Sequence, residues 1–275
     1  MTSFKSSRDV LDISKVDTLL QKESYEHIPT INVTDFAVCT LSLDGHIQRI
    51  LDWADARLSK VVCVANVHML MEGHWHPDFA TVLSKADMLT PDGMPLAWMV
   101  RWLKLNHQDR VAGMDVLTCL CEESESRPVS FFFLGSKPET LSRIRTRINA
   151  QYPNVRIAGM LSPPFRKLNL DENRSIIKQI NESNAGIVLV SFGCPKQERW
   201  MYQNKGKVNA VMIGLGGAFS VFAGEVKWAP RFVRELGLEW LYRLVQEPGR
   251  LWKRYITTIP PFVYLALKQM VIGGR

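Results

Sequence analysis

The chain has 275 residues, of which 46% are hydrophobic and 22% are charged, and 34 Lys and Arg against 27 Asp and Glu give a formal charge of +7. This composition is that of an ordinary globular protein, and it excludes collagen-like, disordered and mucin-like chains. The length fits one large α/β domain or one domain with a substantial appendage.

Residues 1–34 are predicted to be a polar, loosely ordered lead-in, and their start contains no apolar stretch that could form the core of a secretion signal. From residue 35 onward, short β-branched and aromatic runs alternate with helical patterns, as is typical of parallel βαβ units. The predicted strands are 60–66, 87–90, 129–135, 155–159, 186–192 and 210–214. The predicted helices are 44–58, 77–85, 94–104, 114–123, 138–151, 171–183 and 196–203. Because runs such as FFFL and IVLV suit strands covered on both faces, we predict an α/β fold with a Rossmann-like, doubly wound, mostly parallel sheet over residues 35–226.

The pattern changes in residues 227–275, which we predict to be a basic amphipathic C-terminal appendage. Three helical stretches rich in Trp, Arg and Leu are broken by Pro230, Pro248 and the pair Pro260 and Pro261. Nine basic and three acidic residues give this segment a charge of +6 and leave +1 for residues 1–226. The appendage is therefore expected to meet an anionic partner, which could be a phosphate-bearing substrate, a membrane or a nucleic acid. Its uncharged run, 256–267, is too short to span a membrane but suits an interfacial helix.

Cysteine and histidine placement argues against disulfides and metal. Five cysteines without a CxxC pair indicate reduced residues of a cytoplasmic protein. His68, His74 and His76 are close in sequence, but a His-x-His pair on a helix points to different faces, and the chain has no Asp-x-Asp clamp. We predict no metal site and no cofactor.

Ligands of open α/β sheets bind outside the carboxyl ends of the strands, so the residues after each strand are the candidates. Glycines at Gly135, Gly193 and Gly216 would let the backbone approach a phosphate, although each also fits an ordinary turn. The sequence has neither the third glycine of a dinucleotide fingerprint, because Phe219 takes its place, nor a Walker lysine motif.

Polar side chains near the same ends carry two interpretations each. Asp92 lies on a turn beside an apolar helix and could be a general base or a helix cap. Gln197 follows a strand and begins another helix, so it is a candidate that also fits an ordinary first turn. Glu198 beside it fits an acidic residue near the helix dipole. Arg110 could bind a phosphate or be a surface cation.

Five blocks of sequence carry a resemblance to a known family: ADMLTPDGMPLAW (86–98), RVAGMD (110–115), FGCPKQERWM (192–201), IGLGGAFSVFAGEVKWAP (213–230) and LGLEWLYRLVQEPGRLWKRY (236–255). Together they resemble the WecG/TagA/CpsF family of bacterial glycosyltransferases over about residues 35–255. The resemblance implies a Rossmann-like core with a C-terminal membrane-associating appendage. It also implies transfer of a sugar from a UDP-sugar to a lipid-diphosphate-linked saccharide on the cytoplasmic face of the membrane.

The resemblance assigns roles to individual residues. The Asp of the family's PDG motif, its proposed base, matches Asp92, and the Asn after the second strand matches Asn66. The PKQE glutamine matches Gln197, and the arginine of RV-x-G matches Arg110.

Arginines of the family's appendage, which are thought to close over the diphosphate, match Arg243 and Arg250, with Lys253 or Arg254 beyond. Many members have Thr where this chain has Val64 and an acidic residue where it has His68. These departures leave the donor sugar open between N-acetylmannosamine, its uronate and glucose.

The sequence as a whole predicts an inverting glycosyltransferase that acts on undecaprenyl-diphosphate-linked saccharides in cell-surface polysaccharide synthesis. It would be a cytoplasmic protein, peripherally attached to the inner face of the cell membrane, with no nucleic-acid partner and with the oligomeric state left open. The alternatives are a UDP-glucose-dependent exopolysaccharide glucosyltransferase of the same fold and, more remotely, a nucleotide-binding protein that is not a transferase.

Overall fold

A computed structural model of the protein describes residues 28–104 and 107–272, so positions 1–27 of the predicted lead-in lie outside the described residues. Six parallel strands form the main sheet, in the order β4-β3-β8-β7-β5-β6. Their bounds are β3 Lys60–Ala65, β4 Met88–Pro91, β5 Ser130–Gly135, β6 Arg156–Leu161, β7 Ile187–Ser191 and β8 Val211–Gly214. The predicted parallel sheet is confirmed. A separate antiparallel hairpin, β1 Thr30–Val33 and β2 Phe36–Cys39, precedes it and lies beside β4.

Helices cover both faces of the sheet. Among the described residues, nine helices belong to the body: α1 Leu43–Asp55, α2 Val67–Trp75, α3 Pro77–Ser84, α4 Met94–Lys104, α5 Gly113–Glu123, α6 Pro138–Gln151, α7 Leu170–Glu182, α8 Lys196–Asn204 and α9 Ala218–Phe222. Three more follow in the part of the appendage that the structure describes: α10 Arg231–Glu235, α11 Glu239–Gln246 and α12 Pro248–Ile272.

The strand side chains alternate between two apolar layers. Phe131 and Phe133 of β5 pack with helices α1, α5, α6 and α9 on one face, whereas Phe132 and Leu134 pack with α2, α3, α4, α7 and α8 on the other. Since both layers are closed to water, the sheet is a rigid platform whose strand ends position the loops between strands and helices.

Helix α2 is an element that the sequence analysis missed. It begins directly after β3, and the side chain of Asn66 caps it by accepting a hydrogen bond from the Met69 N–H at 3.2 Å. The apolar run of β3 continues into Met69, Leu70 and Met71, which are all buried. The strand and the helix are therefore similarly apolar, and only the cap residue Asn66 marks the boundary between them.

The predicted break at Pro260 and Pro261 is wrong, because α12 runs through both prolines. Each proline removes one backbone N–H donor from the helix. Packing outweighs this loss: Phe262 and Ala266 are buried in the layer that contains α2, and α12 lies against α2. Farther along, the side chain of Gln269 accepts from the Thr34 N–H and donates to the Asn32 carbonyl, both at 2.7 Å, which fixes the helix to the β1–β2 hairpin.

Gly73 gives a test of the packing around α2. A Cβ atom there would overlap the ring of Phe36 and lie 3.0 Å from Leu83 Cδ1. We expect Gly73→Ala to lower the free energy of unfolding by about 1–3 kcal/mol, because both neighbours are fully packed. Urea denaturation measures the change. Gly249→Ala is the control, since its Cβ would have no heavy atom within 4 Å, and an equal loss in both variants would contradict the prediction.

Candidate active site

A cavity of about 660 Å³ opens at the carboxyl ends of β4, β3, β8 and β7, which are neighbours in the sheet. Helices α4, α11 and α12 form its outer walls, so the body and the appendage both contribute to it. Nine of the ten predicted site residues line this cavity: Asn66, Asp92, Arg110, Gly193, Gln197, Gly216, Arg243, Arg250 and Arg254.

Gly135 is the predicted site residue that does not line the cavity. It ends β5, beyond β7 in the sheet, with a φ of +106°. A Cβ atom there would lie 2.5 Å from the carbonyl oxygen of Ser191, so glycine is required by the close approach of the two strand ends. The turn interpretation accounts for this residue without a ligand.

Asp92 and Asn66 face each other across the ends of β4 and β3. The Asn66 Nδ2 amide lies 3.5 Å from Asp92 Oδ2 as a donor, and the Asp92 N–H donates to the Ala65 carbonyl at 2.8 Å. Asn66 Oδ1 accepts from the Met69 N–H and from Arg254 Nη2, both at 3.2 Å. The two oxygen contacts orient the amide so that its NH₂ group points at the carboxylate.

The carboxyl group of Asp92 is a poor acid in this position. Removal from water raises its pKa from 3.8 to about 6, and the negative charge of Glu239 adds to the increase. Arg110, the hydrogen bond from Asn66, and Arg243 act in the opposite direction. A carboxylate with this pKa is ionised at neutral pH and still basic enough to accept a proton from a hydroxyl group during a reaction.

Arg110 is a member of an ion-pair network and not a surface cation. Its Nη2 contacts Asp115 Oδ2 at 2.6 Å, and its Nη1 contacts Glu239 Oε2. Arg234 contacts the other oxygen of Asp115 at 3.2 Å. The network joins the body to α10 and α11. Sequence reasoning missed Glu239, because its role depends on a partner 129 positions away.

The arginines of the appendage differ in their partners. Arg250 pairs with Glu247 at 2.5 Å, and Arg243 approaches the same carboxylate at 4.0 Å. Arg254 is mostly buried, and no carboxylate within residues 28–104 and 107–272 lies within 4.0 Å of its guanidinium. Burial lowers the pKa of Arg254, as expected for a cation without a partner. Such a group favours the binding of an anion.

Glycines of the β8–α9 turn make room for side chains of the site. A Cβ at Gly217 would lie 2.8 Å from Arg243 Nη2, and one at Gly214 would lie 2.9 Å from Gln197 Nε2. The guanidinium of Arg243 therefore rests against the backbone at the start of α9. This close approach explains the glycine-rich sequence here.

Gln197 is fixed by its neighbours, and Glu198 is one of them. Gln197 Oε1 accepts from the Gly193 N–H at 3.1 Å, and its Nε2 donates to Glu198 Oε1 at 2.7 Å. Glu198 is completely buried, which raises its pKa from 4.5 to about 7. Its position is not that of an exposed acid near a helix dipole. Glu198 supports the amide of Gln197 from inside the protein.

The two departures from the family pattern also face the cavity. Val64 and His68 line it, and burial and Arg254 lower the pKa of His68 to about 4. His74 pairs with Asp35 at 2.6 Å on the outside of α2. Within the described ranges, no group of three or more His, Cys, Asp or Glu side chains is arranged to hold a metal ion.

Part of the cavity is an apolar groove between α4 and α12. Trp98 and Met99 form one side, and Phe262, Leu267 and Met270 form the other. Val263 and Leu267 both line the cavity and are exposed, so the groove reaches the surface along α12. The exposed apolar residues of this helix are Trp252, Ile256, Val263, Tyr264, Leu267 and Val271. No helix among the described residues combines the length and the apolar character that crossing a membrane requires.

The chain is similar both to the sequence profile of a known family and to individual known proteins. The sequence profile of the glycosyl transferase WecG/TagA/CpsF family matches residues 31–275. The N-acetylglucosaminyldiphosphoundecaprenol N-acetyl-beta-D-mannosaminyltransferase of Bacillus subtilis (strain 168) is 31% identical over 251 residues, which cover 91% of this chain and 93% of that protein. The enzyme of the same name from Bacillus spizizenii (strain ATCC 23059 / NRRL B-14472 / W23) is 31% identical over 240 residues, which cover 86% and 90% of the two chains.

Burial of Glu198 predicts a pH dependence of stability. Below the unfolded pKa of 4.5 both states are protonated, whereas between 4.5 and about 7 only the folded state keeps the proton, so stability falls as pH rises through this window. Glu198→Gln removes the titration but keeps an acceptor for Gln197. We expect it to raise the free energy of unfolding by about 1–3 kcal/mol at about pH 8 and to change it little at about pH 4.

Urea denaturation at both pH values checks this expectation. Glu182→Gln on the exposed end of α7 is the control, because it removes the same charge from a solvated position. A Glu198→Gln variant that keeps the pH dependence of the unmodified protein would contradict the assignment.

Proposed function

The chain belongs to the WecG/TagA/CpsF family and is a glycosyltransferase, and from this premise we propose that it moves a sugar from a UDP-sugar to a saccharide linked to undecaprenyl diphosphate. Both Bacillus relatives are named for transfer of N-acetylmannosamine to N-acetylglucosaminyldiphosphoundecaprenol. We therefore infer the same class of acceptor and favour N-acetylmannosamine as the sugar. Assay of UDP release from a panel of UDP-sugars separates this donor from its uronate and from glucose.

Asp92 is the proposed general base. It takes the proton of the acceptor hydroxyl, and the hydroxyl oxygen attacks the anomeric carbon from the face opposite the diphosphate. The bond between that carbon and the β-phosphate oxygen breaks, and its electron pair leaves with UDP. An α-linked donor thereby gives a β-linked product.

Positive side chains of the appendage are proposed to stabilise the leaving diphosphate. Arg254 lacks a carboxylate partner among the described residues, and Arg243 rests on the backbone at the start of α9, so both can face a phosphate without breaking a short ion pair. Guanidinium groups and backbone N–H donors can neutralise charge that develops on a leaving oxygen, so the proposal needs no metal ion.

One observation carries the proposal: Asn66 contacts Asp92 with its NH₂ group and Arg254 with its oxygen. The base and the unpaired cation are thus held on opposite sides of one amide in one cavity. This arrangement suits a transfer reaction, because the proton leaves the attacking oxygen and negative charge develops on the departing oxygen, on opposite sides of the anomeric carbon.

Asp92→Asn tests the base. The amide cannot accept the proton, so we expect the rate of sugar transfer to fall by at least about 100-fold, while UDP binding remains nearly unchanged. Transfer to a lipid-linked acceptor and calorimetric titration with UDP measure the two quantities. Asp171→Asn, at an exposed position on α7, is the matched control. Normal transfer by Asp92→Asn would overturn the proposed mechanism.

The exposed apolar face of α12 is proposed to lie on the inner surface of the cell membrane. The groove between α4 and α12 reaches the surface along this helix, so a polyprenyl chain could pass from the cavity into the bilayer while its diphosphate stays near Arg254. Arg231, Lys253 and Lys268 add basic charge to the same appendage, which favours an anionic surface.

Ile256 and Tyr264 provide the test, because both are about two-thirds exposed and neither lines the cavity. We expect the double variant Ile256→Glu, Tyr264→Glu to bind phosphatidylglycerol vesicles at least about tenfold more weakly, since two apolar side chains are replaced by charges. Sedimentation with vesicles measures the binding. Leu170→Glu on the body is the control, as it makes the same change at another exposed position. Equal vesicle binding by the double variant and the control would contradict the proposal.

A further inference from the structure

Glu239 is a carboxylate that the appendage places in the wall of the cavity, beside the arginines of the appendage. It begins α11, lines the cavity, and forms an ion pair with Arg110 of the body. Both side chains are largely buried, with 24% of Glu239 and 11% of Arg110 exposed. A partly buried ion pair of this kind is costly to disrupt, because either partner alone would leave an uncompensated charge.

The second carboxylate of the network has a different position. Asp115 is held by two guanidinium groups, those of Arg110 and Arg234, and it does not line the cavity. Glu239 has Arg110 as its ion-pair partner and shares the cavity wall with it. Asp115 therefore fixes Arg110 from behind, while Glu239 determines how the guanidinium meets the cavity.

Glu239 also acts on Asp92 through space. The charged or titratable groups that face Asp92 are Glu239 and Arg243 of α11, Arg110 of the body, and Arg254 and Tyr255 of α12. Glu239 is the carboxylate of this set, and its charge opposes the ionisation of Asp92, whereas Arg110 and Arg243 favour it. Without Glu239, only burial would oppose the arginines, and Asp92 would be a weaker base.

We propose that Glu239 is a positioning residue of the transfer reaction, which holds Arg110 at the cavity wall and keeps a negative charge beside Asp92. This inference rests on the proposed function, in which Asp92 is the base. The basicity of Asp92 then depends on burial and, in part, on a carboxylate that α11 supplies.

Glu239→Gln in the full-length protein tests the inference. Its carboxyl charge is lost and Arg110 is freed, and both changes favour ionised Asp92. We expect the titration midpoint of Asp92 to fall by about one pH unit, followed by the carboxyl ¹³C resonance that disappears in Asp92→Asn. The acidic limb of the pH profile of kcat/KM, measured with UDP-N-acetylmannosamine and a diphosphate-linked N-acetylglucosamine lipid, should move by the same amount.

Two further variants keep the result interpretable. Glu239→Asp retains the charge, so its Asp92 midpoint should fall by less than that of Glu239→Gln even if the shorter side chain loses contact with Arg110. Glu235→Gln removes an exposed carboxylate that pairs with Arg231 in the same appendage, and it should change neither the midpoint nor the profile.

The possible results distinguish a failure of the role of Glu239 from a failure of the proposed role of Asp92. An unchanged Asp92 midpoint and an unchanged pH profile in Glu239→Gln would overturn the role of Glu239 and leave the proposed function intact. Normal transfer by Asp92→Asn would overturn the proposed role of Asp92 as the base, while the NMR midpoint would still report whether Glu239 acts on Asp92. A shift in Glu235→Gln as large as that in Glu239→Gln would also overturn the inference, because any appendage carboxylate would then have the same effect.

Discussion

The hydrogen bond from Arg254 to Asn66 joins the appendage to the body inside the cavity, and Asn66 connects it to the base and to helix α2. Asn66 caps α2 and contacts both Asp92 and Arg254. An amide is suited to this position, because its oxygen can accept from a guanidinium and a backbone N–H while its nitrogen donates to a carboxylate. An aspartate could cap the helix equally well, but it would place a second negative charge against Asp92 and provide no donor.

Charge balance decides which groups of the cavity remain available to a ligand. Asp115 and Glu239 neutralise Arg110, and Glu247 neutralises Arg250, whereas Arg254 is left without a carboxylate in the described part of the chain. Several cations near one carboxylate would ordinarily make it a weak base. Burial and Glu239 counter this effect at Asp92. The cavity can therefore hold both a basic carboxylate, Asp92, and a cation without a carboxylate partner among the described residues, Arg254. A distribution in which every cation is paired with a carboxylate would not permit this combination.

The sequence predicts elements whose signal is local and misses those that depend on distant contacts. The buried strands were predicted from runs such as IVLV, and Asp92 was a candidate because it follows a strand. Helix α2 was missed because its residues are as apolar as the strand before it, and the continuity of α12 was missed because packing against α2 overrides Pro260 and Pro261. Gly135 and Gly216 look alike in sequence. Sheet order separates them, since β8 lies among the strands that border the cavity and β5 lies outside that set.

The position of Arg254 depends on the continuity of α12, which is held at several points along its length. Thr258, one turn after Arg254, is buried, and its hydroxyl donates to the Arg254 carbonyl at 2.8 Å. Farther along, Phe262 packs into the layer that contains α2, and Gln269 is bonded to the β1–β2 hairpin. A break at the prolines would separate Phe262 and Gln269 from Arg254 and remove the constraint that these two residues place on its guanidinium. The same helix also carries the exposed apolar face, so any surface that this face contacts is held in a fixed relation to the charged end of the cavity. Rigidity in α12 thus links the proposed membrane contact to the proposed chemistry.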